Sequence, residues 1–184
     1  TTLDGGTLAL GAAADGSSLH GIVFGAVANS PNVSTLDLSA VSISATSVTV
    51  RTSSASSNSI SIGNGKTLTL TNGMTVGSIS TTDQIKLSVS GANGALSITG
   101  GNMTVGTADN GTNTPVASLD LSGLRDFSYS NSSGTVAFSN TNRSGAAVTL
   151  TAGTSTITAA TLNVGAGGSG NGGAGTLNLG AGTN

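Results

Sequence analysis

Seven aspartates, one histidine and no cysteine are the groups from which this 184-residue chain could build acid–base or metal chemistry. Cleavage of a glycosidic bond needs two carboxyls roughly 5–10 Å apart. In a chain that repeats every 28–29 residues, that means two acids one repeat apart. No two of Asp4, Asp15, Asp37, Asp83, Asp109, Asp120 and Asp126 stand so; Asp83 and Asp109, 26 residues apart, come nearest. His20 has no cysteine, glutamate or second histidine to act with, and among Leu19, Ile22 and Val23 it reads as a packed or surface residue. Asp37 and Asp120 occupy equivalent places between leucines (Leu36 and Leu38, Leu119 and Leu121), so both point outward. A file of outward aspartates could hold a hard cation, but these two are 83 residues apart and cannot share one ion. Both are expected to be solvated.

Other motifs carry as little. The calcium-binding Gly-Gly-x-Gly-x-Asp nonapeptide is approached by Gly167-Gly168-Ser169-Gly170-Asn171-Gly172, which lacks its aspartate. The bases Arg51, Lys66, Lys86, Arg125 and Arg143 are scattered, and the chain holds only three Phe, one Tyr and no Trp for stacking on bases or sugars. Arg125-Asp126 reads as a solvated corner. A net charge of −2 sets up too weak a field to draw in nucleic acid or an anionic membrane. Five Asn-x-Ser/Thr sequons, at Asn32, Asn102, Asn110, Asn131 and Asn142, are what this composition produces by chance, and Asn102 falls inside a strand phrase. No catalytic, cofactor-binding or metal-ligating residue is assigned, and the chain is not expected to be an enzyme.

Threonine needs separate weighing. Thr-x-Thr occurs at Thr67/Thr69/Thr71, Thr149/Thr151 and Thr154/Thr156/Thr158. A regular threonine array on a flat face would suit ice. One repeat along, however, Thr67 and Thr69 become Ala95 and Ser97, which interrupts the array. Outward threonine is also what strands prefer generally.

The elements that must position these residues are repeats. Ser118-Leu119-Asp120-Leu121-Ser122 nearly copies Thr35-Leu36-Asp37-Leu38-Ser39. Thr67-Leu68-Thr69-Leu70 returns as Ala95-Leu96-Ser97-Ile98, a step of 28, and Met74-Thr75-Val76-Gly77 as Met103-Thr104-Val105-Gly106, a step of 29. Leu119 and Leu121 step by 29 to Val148 and Leu150, and Leu150 by 29 to Leu179. Within each phrase, aliphatics alternate with Ser, Thr and Asn, the period-two mark of a strand with one buried face. Only 7% of residues are charged, but the regular spacing of Leu, Val and Ile excludes disorder. Helix has no 3.6-residue periodicity to support it, and Gly, Ser, Thr and Asn form helices poorly.

A repeat of 28–29 residues holding about three short strands predicts an all-β fold, a single parallel β-solenoid (β-helix) of about six coils, roughly 30 Å long at the strand spacing. Its rival is an antiparallel hairpin meander or sandwich, since Asn72-Gly73 is also a hairpin signal. In a hairpin Leu70 lies near Met74; in a solenoid it lies over Ile98. Like phrases one step apart favour the solenoid, because identical side chains stack well on themselves. Residues 1–28 read as an irregular N-terminal coil or end piece, and 29–184 as the repeats, with a protruding glycine-rich loop near 165–175. With no initial Met and aliphatics still alternating at Leu177 and Leu179, the chain reads as an excerpt of a longer one, or as a unit that stacks end to end. No apolar run nears the roughly 20 residues that span a bilayer.

Thr161-Leu162-Asn163-Val164-Gly165, Gly175-Thr176-Leu177-Asn178-Leu179-Gly180 and Ser118-Leu119-Asp120-Leu121-Ser122 resemble the autotransporter-associated β-strand-repeat proteins, long Gly/Ser/Thr/Asn-rich chains secreted by bacteria. The resemblance covers most of residues 29–184. It implies an exported, cell-surface or extracellular solenoid passenger, and it transfers no catalytic or binding residue. The expected role is structural, part of a surface fibre or filament. The alternative is an adhesin-type or ice-binding module that meets a glycan or another surface through an outward Thr/Asn ladder.

Overall fold

The computed structural model describes residues 1–27, 30–52, 54, 56–77, 84–106, 116–139, 145–165 and 173–184. Among the described residues, alternating aliphatic and hydroxyl residues supply most of the strands. In chain order these are β1 (Thr2–Leu3), β2 (Gly6–Ala9), β3 (Ser18–Leu19), β4 (Ile22–Phe24), β5 (Ser34–Leu38), β6 (Ile43–Ala45), β7 (Val48–Val50) and β8 (Asn58–Ile62). There follow β9 (Thr67–Leu70), β10 (Met74–Val76), β11 (Gln84–Ile98), β12 (Met103–Val105), β13 (Val116–Phe138), β14 (Gly145–Thr149), β15 (Thr154–Val164) and β16 (Gly175–Asn178). One short 3-10 turn, Ala12–Ala14, lies between β2 and β3.

The pairing separates the two architectures weighed above. Leu70 is the register partner of Ile98, and Leu68 of Leu96, in a parallel ladder. Met74 pairs with Met103 in the same way. The chain is a parallel β-solenoid with three faces. The Leu36 face stacks β2, β5, β8, the start of β11, the start of β13, β14 and β16. The Leu68 face stacks β3, β6, β9, the end of β11, the middle of β13 and the start of β15. The Met74 face stacks β1, β4, β7, β10, β12, the end of β13 and the end of β15. The segment 1–28 carries β1–β4 and joins these ladders in register, through Thr2↔Val23 and Ile22↔Val48.

The coil length is not constant. It is 28 from Thr69 to Ser97 and 29 from Leu119 to Val148, as the repeats require. It falls to 21 from Thr2 to Val23 and rises to 33 from Thr104 to Ala137. Strand registers are fixed because a one-residue slip would turn the aliphatic set to solvent. The corners absorb the difference, as at the register shift between Asn131 and Thr135, where β13 carries two residues more than β15.

Inward side chains form the core. Phe24, Val50, Val76, Val105 and Phe138 make one buried file under the Met74 face; Ile43, Leu68, Leu96 and Phe127 make another under the Leu68 face. Each fully buried aliphatic contributes about 1.5–3 kcal/mol. Polar members of the core are bonded across coils. Asn58, 1% exposed, accepts from the Ser34 amide at 3.0 Å and donates to the Lys86 carbonyl at 3.3 Å, joining the coil below to the coil above. Ser155, stacked on Phe127, has no partner for its buried hydroxyl. An unsatisfied buried hydroxyl costs about 1–3 kcal/mol, so Ser155→Ala is expected to raise the thermal midpoint in a calorimetric scan.

Tyr129 is the largest fully buried side chain, and its hydroxyl donates to the Gly101 carbonyl at 2.6 Å. Asn131 Nδ2 donates to the same oxygen at 2.9 Å. Burial raises the phenol above its ordinary value, with the Asn131 side chain opposing. A raised folded value favours the neutral phenol in the native state. The stability it confers is therefore complete below the unfolded value of about 10 and is lost as pH rises through the folded one. Tyr129 is the chain's one tyrosine, so tyrosinate absorbance reads it alone. Ionisation above the free-tyrosine range, coincident with loss of strand circular dichroism, is expected. Tyr129→Phe should remove that alkaline sensitivity.

Candidate functional surface

Among the described residues the charged side chains lie at corners or in outward files, and the coil determines their neighbours. Asp15 follows the 3-10 turn, where its carboxylate accepts from the Ser42 amide one coil above and meets Lys66 Nζ at 3.3 Å two coils above. The Ser42 amide, and then Lys66, hold this carboxyl below the usual aspartate range. The group is exposed, and the three residues tie one corner together. Asp37 accepts from the Ser39 amide at 2.8 Å, which lowers its carboxyl. Asp120 accepts from the Ser122 amide at 2.9 Å in the same local turn.

That likeness is local. Asp120 pairs with Ser88, Ser88 with Ser59 and Ser59 with Thr35, so Asp37 lies two residues along the strand, in another file. The expected equivalence of the two aspartates holds for the turn and fails for the ladder, because the three coils that carry Thr35 to Asp120 span 85 residues and the two aspartates are 83 apart. Arg125 Nε meets Asp126 at 2.6 Å with both side chains substantially exposed. His20 is exposed. Among the described residues no three His, Cys, Asp or Glu gather as for a metal ion. Asp83 and Asp109, the nearest-spaced acids, lie outside the described residues, as does most of the glycine-rich 165–175 segment.

Aromatic surface is absent for a definite reason. Phe24, Phe127, Tyr129 and Phe138 are all at most 1% exposed and are the chain's entire aromatic content. Of the sequons, Asn110 and Asn142 lie outside the described residues. Asn131 spends its amide nitrogen on Gly101, and Asn102 Oδ1 accepts from the Thr135 amide at 3.0 Å.

The outward files differ from face to face. On the Leu36 face Thr7, Thr35, Ser59, Ser88, Asp120, Thr149 and Asn178 stand in one line, with Asp37 and Lys86 beside it. On the Met74 face Thr49, Thr75 and Thr104 align, but Val23 precedes them and Ala137 and Asn163 follow. On the Leu68 face Ser18, Ser44, Thr69, Ser97, Ser128 and Thr156 form an unbroken hydroxyl file. Ser128 Oγ donates to Ser97 Oγ at 3.2 Å along it. Thr67 and Thr69 do face Ala95 and Ser97, as the repeats indicated. What the sequence spacing missed is that Thr154 and Thr156 return to the same two files two coils higher, over Asp126 and Ser128. The signal was present in the step of 28 from Asp126 to Thr154.

Compared with known proteins, the chain matches no family model, no curated protein and no solved structure. No helix among the described residues is long and apolar enough to cross a membrane.

Proposed function

We propose that this chain is a structural repeat, a β-solenoid segment of a bacterial extracellular or cell-surface fibre. The β-solenoid fold is compatible with that role, and its mechanism is mechanical: backbone bonds run along the rod, aliphatic files exclude water, and no active site is called upon. The observation that carries the reading is the continuity of the inward files, as in Phe24, Val50, Val76, Val105 and Phe138, buried from coil to coil. Leu162 and Val164 continue the buried files of Val136 and Phe138, yet are 48% and 43% exposed, and Leu179 is 63% exposed. Solenoid coils contact only their neighbours, and an uncovered terminal coil exposes both aliphatics and strand edge.

The test is electron microscopy of native material, with sedimentation of the purified chain over a range of concentrations. Long unbranched fibres one coil wide, or concentration-dependent end-to-end growth, are the expected result. Isolated short rods in both preparations would overturn the proposal. Export is tested separately, by locating the native protein in cell fractions; recovery from the cytoplasm alone would remove the extracellular part.

A further inference from the structure

We infer that the Leu68 face is an ice-binding surface, a function beyond the mechanical one. Five coils present three outward positions each on this face: Ser42/Ser44/Thr46, Thr67/Thr69/Thr71, Ala95/Ser97/Thr99, Asp126/Ser128/Ser130 and Thr154/Thr156/Thr158. Thirteen of these fifteen side chains are Ser or Thr, the exceptions being Ala95 and Asp126. The paired residues of these five segments stand in continuous register, and the register shifts of β11 and β13 all fall at the corners outside them. Hydroxyls therefore recur about 4.8 Å apart from coil to coil and about 6.6 Å apart along each strand.

Three further features suit ordered water. The platform is rigid, because in four of the five coils the residues between the outward files, such as Ile43, Leu68, Leu70, Leu96, Ile98 and Tyr129, are at most 3% exposed. Threonine adds a stiff χ1 to that backbone, so hydroxyl and methyl positions are largely set before any ligand arrives. The one charge in the lattice, Asp126, is engaged by Arg125. Ion-binding minerals would need more charge than this, and a crystalline polysaccharide would need planar aromatics, all of which are buried. A charge-poor two-dimensional array of fixed donors and acceptors fits a solid whose own surface is a lattice of hydroxyls. The Leu36 face is the internal control, since Asp37, Lys86 and Asp120 break its pattern.

The experiment grows a single ice hemisphere from a dilute solution of the full chain, and measures the protein taken into the ice together with thermal hysteresis and crystal faceting. The wild-type chain is expected to enter the ice and to shape it. Thr69→Lys with Ser97→Lys, at the centre of the lattice, should reduce incorporation to that of a protein excluded by growing ice. Ser59→Lys with Ser88→Lys, at matching places on the Leu36 face, should leave it unchanged. Strand circular dichroism checks each variant; if the first fails to fold, Thr71→Lys with Thr158→Lys, at exposed positions, gives the same reading. Exclusion of the wild-type chain from ice would overturn the inference, and so would equal loss in both face variants. Adsorption to crystalline cellulose or chitin without entry into ice, abolished by the Leu68-face variant, would overturn it in favour of a polysaccharide surface. The fibre proposal is unaffected by any of these outcomes, because microscopy reads it independently.

Discussion

Leu70→Asp should leave no folded protein, whereas Leu179→Asp should fold with a nearly unchanged thermal midpoint. The two residues are alike in type and both belong to inward files, so the difference isolates position along the rod. Leu70 is fully buried, stacked between Ala45 below and Ile98 above. No basic residue lies in its file to neutralise a carboxylate there. An unpaired buried charge costs many kcal/mol unless it is protonated, and protonation still leaves a buried polar group without a partner. Native stability totals only about 5–15 kcal/mol. Each coil's contacts are with its neighbours, so damage at Leu70 also separates the coils below from those above. Leu179 is 63% exposed and loses little by becoming polar. Soluble yield, strand circular dichroism and calorimetry on the two variants give the answer. A normal strand spectrum and midpoint for Leu70→Asp would show that the aliphatic files do not hold the fold.

Much of this architecture was legible because the same physics acts on every coil. Leu68, Leu70, Met74 and Val76 recur one step on as Leu96, Ile98, Met103 and Val105, and those pairs are register partners in the structure. Their spacing is readable since like side chains stacked on one another leave a repeated phrase. The first coil was less legible. Its strands are short and its phrases diverge, so Ser18-Leu19 and Ile22–Phe24 show their place only through their partners Ser44-Ala45 and Val48–Val50. Coil length was illegible at the corners, where extra residues change no strand's facing and leave no periodic trace. Polar groups inside the rod were hidden for a related reason. Asn58 begins Asn-Ser-Ile-Ser-Ile, an apparent outward-polar phrase, yet its inward placement follows from alternation with Ile60 and Ile62. The Leu68-face lattice escaped because it appears only when files are followed across four steps rather than one.

The second large effect expected is at Gly73, and three other glycines separate its causes. Gly73 ends the corner between the Leu68 and Met74 faces with φ +92°, and a Cβ there would lie 2.1 Å from the Asn102 carbonyl oxygen. That oxygen accepts the Met74 amide and belongs to the coil above, so it cannot withdraw without opening the ladder that holds Met74 on Met103. Gly65 has a positive φ, +66°, with nothing near its added Cβ; Gly63 has the clash alone, 1.9 Å from the Ser39 carbonyl oxygen; Gly11 has neither. Left-handed backbone costs a residue bearing a Cβ about 1–2 kcal/mol, so Gly65→Ala should lower stability by about that amount. Gly63→Ala should cost more, because backbone meets backbone and no rotamer can relieve it. Gly11→Ala should be neutral or stabilising by up to about 1 kcal/mol, through the less flexible unfolded chain. Gly73→Ala combines strain and collision and is expected to be the least stable of the four, with a midpoint too low for the protein to accumulate. Calorimetry across the set decides between two origins of the chain's glycine content. The predicted order, with Gly11→Ala highest and Gly73→Ala lowest, attributes the corner glycines to close stacking of successive coils together with backbone handedness. Equal midpoints for Gly63→Ala and Gly11→Ala would mean that the corners are loose enough to admit a side chain, and that coil-to-coil contact at the corners does not set the spacing of the rod.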